Sequence, residues 1–323
     1  MTTLRNSFAL LLTLFLFACS SQTYQANPIE VLVNNEKVTT FIGYDENLSN
    51  NYRQDFNTKS LSNTDQIIKQ NHYLYTLKNE LKSSDLVRLD LNNGTVKKID
   101  YANAKALIED SVYGNVNIVG DLAIKKYGSS HKEATSENLP GDAIFQMVSG
   151  NQRLFAFVET FQPEPTKTHL VELDKDSLKV INQIEIKDYY SFIAPVFNQD
   201  KIYYINDDES TLEVVDVNTK ESSSIKLQGK PSRLRVTNDK LYIMYFPSTG
   251  KTDLSRSVSS LDFKTQKIDN KTFDDTVYDI IYKDSNFYLL FEKTLTKYNQ
   301  EGIQQSSVTL DSNPNITFES FIY

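Results

Sequence analysis

Few side chains in this sequence of 323 residues have the types and spacing that chemistry needs. Ser248-Thr-Gly-Lys-Thr252 contains the Gly-Lys-Thr of a phosphate-cradling loop, in which backbone amides and the lysine would hold a nucleotide's phosphates. That loop needs its first glycine at 245, which is Tyr245, and the segment joins two strand-like runs instead of opening a helix. Asp90-Leu-Asn-Asn-Gly94 resembles the start of a calcium loop with its glycine one place early, and Asp311-Ser-Asn-Pro-Asn315 has Ile316 where glycine belongs. Both read as turns. His72, His131 and His169 lie far apart, with no pair at metal-ligand spacing. No serine sits in a G-x-S-x-G elbow, although a Ser-His-Asp triad that assembles in space stays open. The sequence thus assigns no catalytic residue, no metal ligand and no cofactor.

One residue is set apart for covalent modification. Cys19 is the sole cysteine, which excludes a disulfide framework within the chain. Ahead of it stand Arg5 and an apolar run from Phe8 to Ala18 broken only by Thr13, the build of a secretory signal peptide. That run is too short to cross a hydrocarbon core of about 30 Å as a helix. Leu16-Phe-Ala-Cys19 resembles the lipobox of bacterial lipoproteins, with Phe17 where a small or branched residue is usual. The resemblance implies cleavage after residue 18, a diacylglycerol thioether and further acylation such as palmitate on Cys19, and stable anchoring by lipid. A buried thiol after an apolar run is the plain alternative.

The expected organisation is a signal peptide over 1–18, a lipidated tether over 19–28 and one domain over 29–323. Ser20 and Ser21 resemble outer-membrane-directed lipoproteins, whereas the Asn-, Lys-, Ile- and Tyr-rich composition is shared with Gram-positive cocci. The expected location is therefore the outer membrane or its periplasmic face in a Gram-negative cell, or the outer face of the cell membrane in a Gram-positive one. The formal net charge is −8, without a Lys/Arg block, which argues against nucleic acid as a partner.

A repeat supplies the architecture. Turn-like segments begin at Asp55, Asp90, Asp174, Asp216, Asp262 and Asn299, at spacings of 35, 84, 42, 46 and 37. The 84 is twice 42, leaving one vacancy near His131. Ahead of most of these lie a tight pair of apolar runs and then a third run, as in Ile202–Asn206 followed by Leu212–Asp216. Five- to seven-residue runs rich in Val, Ile, Tyr and Phe, bounded by Asn/Asp/Gly, read as strands. A period near 40 residues in a strand-rich chain predicts an all-β, seven-bladed β-propeller of four-stranded antiparallel blades. Six or eight blades stay open, because 103–140 fits either a blade or an insertion. Each Asp would end a third strand and receive backbone N–H groups in an Asx turn. The C-terminal run from Ile316 would return to the first blade and close the ring.

Tyr204-Ile205-Asn206, Val214-Val215-Asp216 and Thr219-Lys220 resemble the repeat of the YVTN family of β-propellers. That resemblance implies an extracytoplasmic propeller and leaves the activity open.

The second-to-third connections vary in length while the first-to-second turns stay tight. The long ones are Glu159–His169 and Phe246–Ser257. Variable loops on a rigid scaffold are where binding tends to reside, so Phe161, Phe246, Lys251 and Arg256 are the candidate binding residues. The leading expectation is a lipid-anchored, non-enzymatic binding module for an envelope protein or polymer. The alternative is a lactonase-like, metal-dependent hydrolase at the mouth of the central channel. A third reading makes the cleaved signal fragment itself a peptide signal. Unconstrained drift in loop length is the bland reading of the variable loops.

Overall fold

The computed structural model describes residues 23–35, 38–58, 67–80, 83–99, 104–108, 111–118, 121–128, 133–161, 165–187, 189, 191, 193–237, 239–247, 253–310 and 316–322. Among them, 28 strands form seven four-stranded antiparallel sheets, the blades of a β-propeller. The inner strands are Ile67–Gln70, Ala104–Ile108, Ala143–Gly150, Val196–Asn198, Pro231–Thr237 and Val277–Lys283 in blades 2 to 7, and Ile316–Phe321 in blade 1. From blade 2 through blade 7 to blade 1, successive inner strands touch one another.

The central strands read as continuous apolar runs because both of their faces are buried. In blade 5, Ile202 and Tyr204 pack with Phe155, Phe157 and Leu170 in the seam with blade 4. The alternate residues Tyr203 and Ile205 pack with Leu241, Ile243 and Tyr245 in the seam with blade 6. Outer strands face solvent and turn polar, as Ser222–Lys226 does.

The ring closes as expected. Ile316–Phe321 pairs antiparallel with Ile29–Asn35, with Val31 opposite Phe321 and Val33 opposite Glu319. Ile29–Asn35 and Thr39–Tyr44 are therefore the second and third strands of blade 1. Residues 104–135 form a true blade.

The aspartates do what turn chemistry requires. Asp216 Oδ1 accepts the amides of Asn218 and Thr219, both at 3.0 Å, and Asp262 Oδ1 accepts those of Lys264 and Thr265 at 3.1 and 2.7 Å. Asp174 accepts the Ser177 hydroxyl and the Ser177 N–H, both at 2.7 Å, and Asp90 accepts Asn92 N–H at 2.9 Å. These bonds favour the carboxylate, and the carboxyls of Asp174, Asp216 and Asp262 are held below the usual aspartate value of 3.8. Four residues after the aspartate the chain turns left-handed, at Gly94, Leu178, Lys220 and Gln266.

Asp55 is a correction. It lies inside the outer strand Asn50–Phe56 of blade 1, so its turn-like neighbourhood mimics the repeat without being part of it. The equivalent residue is Asp45, whose Oδ1 accepts Asn47 and Ser49 N–H at 2.9 and 2.8 Å, with Leu48 in the left-handed region. The vacancy at His131 lies outside the described residues.

Candidate interaction face

Strands in a blade alternate in direction, so the molecule has two chemically different faces. The first-to-second and third-to-fourth connections share one, the turn face. The second-to-third connections and the blade-to-blade crossovers share the other, the loop face.

The turn face is built of tight turns. Pairs of left-handed residues at Asn151-Gln152, Gln199-Asp200 and Asp284-Ser285 match two-residue hairpins whose twist suits the strands.

On the loop face the inner strands carry a recurrent bulge. Register shifts occur between 104 and 106, 144 and 146, 231 and 233, and 277 and 279, one residue into the strand in three blades and two residues in for blade 4. A bulge re-aims a side chain out of the ladder. In blade 4 the extra residue is Phe145, which is 40% exposed.

Phe161 and Phe246, both singled out from the sequence, stand on this face at the tops of blades 4 and 6, exposed at 43% and 47%. Their backbones are pinned: Phe161 N–H donates to Asp142 Oδ2 at 2.7 Å, and Phe246 N–H to Lys230 O at 3.0 Å. Arg256 is exposed, and its carbonyl accepts Phe273 N–H at 2.8 Å beside Ser255 O, which accepts Val277 N–H at 2.9 Å. The loop ahead of Ser257 is thereby tied to the seam between blades 6 and 7.

Blade 5 separates Phe161 from Phe246 and presents Asp207, whose carboxyl burial pushes up against the opposing pull of Lys230. Lys251 and Cys19 lie outside the described residues, as do Ser248–Thr252 and Asp311–Asn315. Phe145 was missed because its exposure comes from a bulge, and a bulge leaves no composition signal beyond a break in alternation at Ile144-Phe145.

Two cavities lined by described residues lie elsewhere. One of about 300 Å³ opens between blades 6 and 7, walled by Tyr242, Phe273, Phe287 and Tyr298. The chain's own Lys271 covers it, with Nζ 5.3 and 5.6 Å from the ring centres of Phe273 and Tyr298 and donating to Gly302 O at 3.4 Å. Burial pushes the Tyr242 phenol up to about 12. The other, about 390 Å³, opens at the turn-face end of the axis among Lys69, Thr237, Tyr282, Lys283 and Ile322. Asn27, Pro28 and Glu30 complete its wall. Among the described residues, no three of His, Cys, Asp and Glu come together in a way that could hold a metal ion. No helix among them is long and apolar enough to cross a membrane.

The seven sheets and their closure define the class: the protein is a seven-bladed β-propeller. No family model matches the chain, and no curated protein matches it. Solved structures do. AztD from Citrobacter koseri superposes with a TM-score of 0.56 at 8% identity, covering 91% of this chain and 97% of AztD. A candidate 6-phosphogluconolactonase from Bacteroides fragilis gives 0.53 at 10% identity, covering 91% and 98%. BBS1N, in a complex with ARL6DN, gives 0.52 at 12% identity, covering 77% and 81%. Likeness at such identities establishes the shared fold alone.

Proposed function

We propose that this protein is an exported, lipid-anchored propeller of the bacterial envelope whose loop face binds a protein or polymer partner without catalysing a reaction. The observation that carries this reading is the set of three half-exposed phenylalanines, Phe145, Phe161 and Phe246, on one face of a rigid ring. Aromatic anchors with an arginine at hand are the groups that dominate binding energy at protein interfaces. Pinned backbones reduce the ordering entropy that such contacts would otherwise cost. The lipobox-like Leu16–Cys19 and the YVTN-like repeat around Tyr204 and Asp216 support export and anchoring. BBS1N, which shares the fold, is itself in a complex with ARL6DN.

The test is a pull-down from detergent-solubilised native envelope with the tagged, lipidated protein and with a Phe246→Ala, Arg256→Ala variant. A partner recovered by the native chain and lost by the variant is the expected result. Equal recovery by both counts against the loop face. Turnover of a substrate by the purified protein would overturn the non-enzymatic reading. Cys19→Ser is expected to abolish lipid labelling and release the protein from membranes.

A further inference from the structure

The N-terminal residues do not leave the propeller at random. Residues 24–28 are strapped across the turn face beside the axis. Tyr24 N–H donates to Asn92 Oδ1 at 2.8 Å, in the third-to-fourth turn of blade 2. The Tyr24 hydroxyl donates to Glu30, a carboxylate that also accepts Asn27 N–H at 2.9 Å and pairs with Lys69. Lys283 Nζ donates to Pro28 O at 2.8 Å. The Tyr24 ring packs edge-on against Phe41 and Tyr52, at 5.8 and 5.4 Å between centres. Asn27 lies against bare backbone at Gly43, where a Cβ would meet its amide nitrogen at 2.2 Å.

We infer that this face, the turn face, is the one the protein holds toward the lipid surface, with Phe145, Phe161 and Phe246 directed away from it into the aqueous compartment. The inference rests on the proposed lipidation of Cys19. Five residue steps separate Cys19 from the strapped Tyr24. At no more than ~3.6 Å per step they reach about 18 Å, which is short for a ring of seven blades to turn over. The orientation is set by the strap and the short reach and not by attraction to headgroups. The turns on this face carry Asp45, Asp90, Asp174, Asp216, Asp262 and Asp284 alongside Lys175, Lys220, Lys264 and Lys283, a mixed surface without the basic cluster that draws anionic headgroups. The turn face therefore stands off from the bilayer instead of inserting, and a partner is met from the aqueous side.

The chain has no tryptophan, so a single one can report position. Full-length lipidated Glu46→Trp, on the turn face, and Phe246→Trp, on the loop face, would be placed in phosphatidylcholine vesicles carrying dansyl-labelled headgroups. Energy transfer from each tryptophan to dansyl is the readout, and flotation of the same sample reports anchoring. The expected result is flotation of both variants with clearly greater transfer from Glu46→Trp. Flotation with equal transfer, or greater transfer from Phe246→Trp, overturns the orientation while leaving the anchor standing. Failure to float, with an unmodified Cys19 in the mass of the N-terminal peptide, overturns the anchor and the orientation together.

Discussion

Asp279 reaches across the ring's closing seam: its Oδ2 accepts the backbone N–H of Phe321 at 3.0 Å, tying the inner strand of blade 7 to the C-terminal strand. Fully buried, it also receives Arg235 Nε at 2.8 Å and Arg233 at 3.0 Å from blade 6, and Ser320 Oγ at 3.3 Å. Burial alone would raise its pKa, but the two guanidiniums and the Phe321 amide more than offset that and hold it below the usual value. One carboxylate thus joins three consecutive inner strands at the point where the chain's two ends meet.

Removing that carboxylate leaves the buried Arg233 and the partly buried Arg235 without their counter-charge. Asp279→Ala is expected to destabilise the fold by about 3–5 kcal/mol. Deleting residues 316–323 is expected to lower the thermal midpoint further, because blade 1 loses its inner strand. Chemical and thermal unfolding would check both, and an unchanged midpoint for the truncation would refute closure.

Acid should weaken the ring through its turns. Asp174, Asp216 and Asp262 have folded pKa values below 3.8, so the unfolded chain binds their protons first. Their contribution is complete above the ordinary carboxylate value and is lost as pH falls through the lower folded values. The expected urea midpoint is flat near neutrality and falls below about pH 5. The triple variant Asp174→Asn, Asp216→Asn, Asp262→Asn should show a shallower acid limb; an identical pH profile would sink the assignment.

Gly94 turns left-handed, at φ 70°, where Lys220 and Gln266 do the same work with a Cβ. Gly94→Ala is expected to cost about 1–2 kcal/mol in urea unfolding. Lys220→Gly should be near neutral, since relief of the turn is set against a freer unfolded chain.

Gly43→Val tests the strap separately from the ring. The new side chain displaces Asn27, so limited proteolysis within 23–28 should quicken while the thermal midpoint changes little. Unchanged cleavage would show that the strap does not depend on that contact.

The repeat was legible because its turns are made by local chemistry: an aspartate and its next few amides need no partner distant in sequence. Ile202–Asn206 was legible for the same reason, as an apolar run with two seams to fill. Asp55 misled because composition cannot tell a third-to-fourth turn from a polar stretch of outer strand. Asp45 went unnoticed because the first blade borrows its inner strand from Ile316–Phe321, so that its third-to-fourth turn follows only two strands in sequence instead of three. The cluster of Arg233, Arg235 and Asp279 and the bulged Phe145 were out of reach, since both arise from the register of neighbouring strands. Phe161 and Phe246 were found through loop length, a proxy for the loop face and not a reading of the site.

The central claim is that the loop face is where the partner sits. A photo-crosslinking amino acid, p-benzoylphenylalanine, at position 161 or 246 tests it in the native envelope, with position 303 as control. Ile303, 61% exposed, immediately precedes the outer strand Gln304–Thr309 at the turn face. The same partner captured from 161 and from 246, and not from 303, is the result this reading requires. Capture from 303 alone, or no capture from either loop position, would contradict it.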